Sequence, residues 1–110
     1  MKLCKKLYFG ECALEQKKEI LSYIKRRKWQ FGIYVITLSE NEENLLDVYE
    51  TIQFEQNYYK KKKLSIVGVA VGREEAFELV GEIINDVFKK TGAFNVKDYF
   101  FDGKGIKWVF

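Results

Sequence analysis

Leu64 to Val87 is the stretch that leaves this chain the fewest ways to fold. From Leu64 to Val71 only Ser65 is polar, and Ile66, Val67, Val69 and Val71 are β-branched. Stiff branched side chains without a polar face fit a strand covered on both sides, as inside a parallel sheet. Gly72 ends the run. Beyond it Ala76, Phe77, Val80, Ile83, Ile84 and Val87 recur at steps of three and four, the spacing of one helix face. Strand, glycine and helix in that order make half of a βαβ unit. The helix, over Glu74–Lys90, stops at Gly92, which suits a left-handed C-terminal cap.

The rest of the chain reads in the same alternation. A first strand covers Lys5–Phe9, extending back toward Leu3, with Leu3, Leu7 and Phe9 on one side and Cys4 and Tyr8 on the other. Gly10 closes it. A helix over Ala13–Lys28 follows, its inward stripe formed by Leu14, Ile20, Leu21 and Ile24. Phe31–Leu38 again has no polar face and reads as a second central strand. Ser39 and Glu42 stand three apart before an apolar pattern, the capping-box spacing, so a helix is expected from there to about Tyr59, with Leu45, Leu46, Tyr49 and Ile52 inward. The tail breaks the rhythm. Phe94-Asn95-Val96 alternates, Asp102-Gly103-Lys104-Gly105 is a turn, and Ile106–Phe110 follows, which together predict a further strand and a short hairpin. The expectation is one α/β domain over 1–110, βαβαβα with a mainly parallel sheet and a short C-terminal β-hairpin. Two coverings stay open: helices on both faces, or on one face with a partner subunit on the other.

Composition narrows the chemistry. With 110 residues there is room for one core, and 47% apolar with 32% charged residues is globular rather than disordered. No histidine is present, which removes His-based catalysis and most zinc sites. Cys4 and Cys12 are too few for a disulfide framework and read as reduced thiols, in line with a cytoplasmic location. Leu7-Tyr8-Phe9 after Lys2, Lys5 and Lys6 is too short for a signal peptide, and no apolar run reaches membrane-spanning length, so no membrane association is expected. Neither GxGxxG nor a Walker pattern occurs, and no cofactor is expected.

Charge is distributed unevenly although the net is only +3. In a parallel layout the strand carboxyl ends would gather Glu11, Glu15, Glu40, Glu42, Glu43, Glu74 and Glu75, with Arg73 the one obvious counter-charge. Acidic residues at helix starts complement the helix dipole. The sharper reading is a divalent-metal or acid–base site built from Glu40, Glu42, Glu43 and Glu74, which would make the chain a metal-dependent enzyme. The opposite edge would gather Lys25, Arg26, Arg27 and Lys28, then Lys60, Lys61, Lys62 and Lys63, then Lys89 and Lys90. Runs of four exceed what a helix dipole needs, and with Trp29, Tyr58 and Tyr59 close in sequence they suit an anionic partner, nucleic acid or acidic protein, bound without sequence preference.

Asn44-Leu45-Leu46-Asp47-Val48-Tyr49, together with Ile66–Val80, resembles a group of small bacterial α/β proteins of similar length with no known function. The resemblance spans most of the chain; it implies no activity and brings no motif to transfer. With catalytic machinery missing and aromatics at 16%, the expected role is a non-catalytic interaction module that forms a homodimer or binds another protein. The expected interface lies on the last helix and the tail, at Leu79, Ile83, Phe100, Trp108 and Phe110.

Overall fold

Val69 lies between Val35 of one neighbouring strand and Phe9 of the other, at the middle of the sheet. The computed structural model of the protein describes residues 2–39, 44–56, 58, 63–101 and 108–109. Along the chain it places β1 (Lys2–Phe9), α1 (Glu11–Glu15), α2 (Lys17–Lys25), β2 (Ile33–Leu38), β3 (Leu46–Glu50), a 3₁₀ turn (Thr51–Glu55), β4 (Ser65–Val71), α3 (Arg73–Thr91), α4 (Val96–Phe101) and β5 (Trp108–Val109). The strands form one mixed sheet in the order β3-β2-β4-β1-β5, the whole a single α/β domain.

The mainly parallel sheet is corrected by this pairing. Only β1 and β4 run parallel; β2 is antiparallel to both β4 and β3, and β5 is antiparallel to β1. The reason lies between α2 and β2. Arg27 at φ 56 and Gly32 at φ 78 bracket the return from α2. Residues 26–32 carry the chain back to the end of the sheet where α1 began. There Gly72 donates its N–H to the Gly32 carbonyl at 2.8 Å, so β2 starts where β4 finishes.

Two further expectations give way. Instead of a helix over Ser39–Tyr59, the described part holds strand β3 and the 3₁₀ turn, while Glu42 falls outside the described residues. Leu46 and Val48 pack toward one face and Tyr49 toward the other, the two-residue alternation of a strand. In the tail, Val96–Phe101 is helical and β5 bonds to β1, so the expected hairpin is not found among the described residues. The first helix also breaks: Gln16, at φ −112 and ψ 22, separates α1 from α2, and α2 ends at Lys25.

Helices cover both faces. On one, α3 and α4 bring Ala76, Leu79, Ile83, Val87, Val96 and Phe100 onto Ile36, Leu38, Val67 and Ala70. On the other, Ala13, Ile20, Ile24 and Phe54 cover Leu3, Val35, Ile66 and Val69. This explains why β2 and β4 have no polar face: each is buried on two sides whichever way it runs. Gly68 pairs with Ile36 while Ile66 pairs with Thr37, so Val67 is an extra residue on β4. A Cβ on Gly68 would stand 3.2 Å from Leu79 Cδ2 and 3.3 Å from Ile83 Cδ1, so the missing side chain lets α3 approach the sheet closely. The predicted stop at Gly92 is present, in left-handed conformation at φ 71 with its N–H on the Phe88 carbonyl.

Candidate functional site

The long helix α3 presents two different faces. Leu79 and Ile83, expected at an interface, are buried in the chain's own core with Phe100 of α4. Their burial against the sheet withdraws these three from any partner. Trp108 lies in β5, beside β1, and Phe110 lies outside the described residues. What α3 exposes is a neighbouring stripe, in which Phe77 and Ile84 belong to the apolar set expected on the inward face. Phe77 is 54% exposed and Phe88 47%, with Gly81 exposed and Ile84 half-buried between them. Eleven residues are about three turns at 3.6 residues per turn, so Phe77 and Phe88 lie on one line about 16 Å apart along the helix. Phe94, 55% exposed, extends the line by stacking on Phe88 at 5.1 Å between ring centroids.

The stripe has a charge pattern. Glu74 and Glu78 flank its N-terminal half and Lys89 its C-terminal half, all exposed. Arg73 lies over the Phe77 ring at 5.4 Å. A Cβ at Gly81 would have no atom within 4 Å, so nothing inside the chain requires glycine there. On the same face Val80 of α3 and Leu46 and Val48 of the edge strand β3 are only partly covered.

Behind the stripe, α3 is tied down by polar groups. Asp86 Oδ2 accepts the Tyr8 hydroxyl at 2.9 Å, and Tyr8 Oη lies 2.8 Å from Tyr99 Oη, which joins β1, α3 and α4. Burial pushes the Tyr8 phenol far up, and the bonds to Tyr99 and Asp86 add to the shift. At the helix start Glu75 receives backbone N–H groups from Val71 and Cys12, each at 2.6 Å. Burial acts to raise its pKa, but these bonds and that from Ala13 outweigh it and hold the carboxyl below its usual range. Glu75 is therefore committed to the backbone. Glu40, Glu42 and Glu43 lie outside the described residues, Glu74 is exposed, and no group of three metal-ligating side chains occurs among the described residues.

The basic residues are partly gathered. Lys63 precedes β4 at the end of the sheet where Lys2 N–H bonds the Leu64 carbonyl. Lys25 stands near Leu3 and Cys4 at the start of β1, and α3 runs back from Gly72 to carry Lys89 and Lys90 toward that end. Yet α2 and α3 lie on opposite faces, so the sheet separates the Lys25–Lys28 run from Lys89 and Lys90. Lys60, Lys61 and Lys62 lie outside the described residues. The run itself turns sharply: Lys28 N–H bonds the Tyr23 carbonyl and Arg27 N–H the Ile24 carbonyl, a Schellman closure with Arg27 in the left-handed position. Among the described residues no helix is long and apolar enough to cross a membrane. Comparison with protein-family models, curated proteins and solved structures gives no match to this chain.

Proposed function

We propose that the protein is a small non-catalytic interaction module that self-associates through the outer stripe of α3. The observation that supports this reading is the self-complementary spacing of the stripe. In an antiparallel pair of α3 helices around a two-fold axis, Phe77 faces Phe88 of the second copy, and Gly81 faces Ile84. One patch then serves both subunits, as an isologous dimer requires. Gly81 offers the hollow for the Ile84 side chain, which accounts for a glycine that costs helix stability and has no role inside the chain. The charges agree: Glu78 of one copy lies beside Lys89 of the other, and the helix dipoles oppose. Light scattering coupled to gel filtration tests it. The chain should run at twice its 13.0 kDa mass in the micromolar range, and Phe77→Glu with Phe88→Glu should return it to one chain mass with its melting cooperative. A wild-type monomer throughout that range overturns the reading.

A second reading, weak binding of polyanions by the basic end, is favoured by Arg27. A non-glycine residue in left-handed conformation costs about 1 kcal/mol, and glycine would close the same turn without that cost. Holding an arginine there fits a use for its charge. Retardation of DNA or RNA at low salt, lost as salt rises and lost on charge reversal at Arg26, Arg27, Lys63 and Lys89, is the expected result. Unretarded nucleic acid at low salt removes this reading.

A further inference from the structure

A separate surface lies on the other side of the sheet from α3. Between β1 and the α1–α2 layer runs an open groove of about 440 Å³. Leu7 and Phe9 of β1, Leu14 of α1 and Leu21 of α2 give it an apolar floor. Lys6, Lys17 and Lys25 stand around that floor, all exposed, and among the described residues no carboxylate lines the groove. Lys17 leans over it, its Nζ 5.3 Å from the centroid of the Phe9 ring. Ala13, Ile20 and Ile24 share the buried stripe at steps of seven and eleven, and Leu14 and Leu21 lie together on its flank. Leu14 is 59% exposed and leaves its side chain open to the groove.

We propose that this groove binds a single-chain anionic amphiphile, a long-chain carboxylate. Its alkyl chain would lie along Phe9, Leu14 and Leu21, and its head group would be held by Lys6, Lys17 and Lys25. Charge complementarity selects this occupant. A neutral chain would cover the lysines without pairing them, and a small hydrophilic anion would leave the apolar floor in water. The volume falls within the range of about 300–1,000 Å³ usual for small-ligand sites. Because the groove and the α3 stripe lie on opposite faces, binding here does not depend on self-association and is compatible with it.

Calorimetric titration of the full chain with dodecanoate, below its micelle concentration, tests the proposal. Acetate serves as a probe lacking the chain and dodecanol as one lacking the charge. Dodecanoate should bind saturably and both controls at least about tenfold more weakly, a ratio corresponding to 1.4 kcal/mol. Lys17→Glu with Lys25→Glu should weaken dodecanoate by about tenfold or more, while Lys17→Arg with Lys25→Arg retains binding. Leu14→Asp alters an exposed side chain, so it should weaken binding with the melting temperature of the free protein unchanged. Amide NMR shifts at Leu14, Lys17 and Leu21 should follow the same titration. Absence of saturable binding, equal affinity for dodecanol, or affinity unchanged in the glutamate variant overturns the proposal. So does sedimentation with phosphatidylglycerol vesicles by a protein that does not bind free dodecanoate, which would assign the lysines to a membrane surface instead.

Discussion

Glu75 accepts the backbone N–H of Cys12 at 2.6 Å across 63 positions of sequence, so a side chain in the first turn of α3 closes the start of α1 on the opposite face of the sheet. Its other oxygen takes the Val71 N–H at the end of β4. Gly10 fits the same junction: a Cβ there would run into the Glu75 carboxylate. One carboxylate thus joins both helical layers to the sheet, and the N–H groups it accepts favour its ionised form.

Replacing Glu75 should therefore cost stability. Glu75→Ala leaves helix-start N–H groups without their acceptor and should lower unfolding free energy by about 1–2 kcal/mol at neutral pH. The pH dependence has a defined sign. Because the folded carboxyl titrates below its unfolded value of about 4.3, its contribution is complete above that value. It is lost as pH falls through the lower folded pKa. Urea unfolding at neutral and acid pH should show a steeper acid loss for the wild type than for Glu75→Ala.

Cys12 is exposed yet should react slowly. Its hydrogen bond to the Glu75 carboxylate, then the negative charge of Glu75, push the thiol above its ordinary pKa. Less thiolate forms at mildly alkaline pH, and thiolate is the reacting species. An aromatic disulfide reagent should modify Cys12 more slowly than a model peptide, and Glu75→Gln should raise that rate. An unchanged rate in the variant would break the link.

Tyr8→Phe should cost about 1–2 kcal/mol, because one hydroxyl serves both Asp86 and Tyr99. In a double-mutant cycle with Tyr99→Phe the two losses should fall short of additivity by about 0.5 kcal/mol or more. Additive losses would mean that the tyrosine pair does not hold α4 against β1.

Val67 has 0% exposure and faces α3. Val67→Asp places an unpaired charge in that layer and should cost about 3 kcal/mol or more. Circular dichroism with thermal melting should show a large loss of cooperative structure, and a melt like that of the wild type would contradict the position of β4.

Gly81 and Arg27 make opposite use of the glycine rules. Arg27→Gly relieves a left-handed arginine and should stabilise the chain by about 1 kcal/mol. Gly81→Ala should stabilise the isolated helix by about the same amount through propensity. If α3 pairs with itself as proposed, Gly81→Leu should fill the hollow for Ile84 and weaken association. Gel filtration of the leucine variant beside its melting curve separates the two effects.

Some of this molecule follows from local sequence. The strand Ser65–Val71, the helix after Gly72 and the left-handed Gly92 are each set by residues within a few positions: branched side chains, a three-and-four spacing, and a glycine where φ is positive. The tertiary structure decided the rest. Leu45, Leu46, Val48, Tyr49 and Ile52 satisfy a helical and a strand period almost equally, and pairing with the open edge of β2 chose the strand. The lack of a polar face on β2 reports burial on two sides and is silent about direction, so antiparallel β2 reads like a parallel strand. Leu14 and Phe77 belong to apolar patterns on paper, yet both point outward. Each lies on the flank of a helix that covers the sheet without it, Leu14 beside the buried Ala13 and Phe77 beside the buried Ala76. Local spacing sets which residues share a face. Which faces are covered depends on how distant layers meet, and here that is settled by contacts such as Glu75 to Cys12, which no local pattern contains.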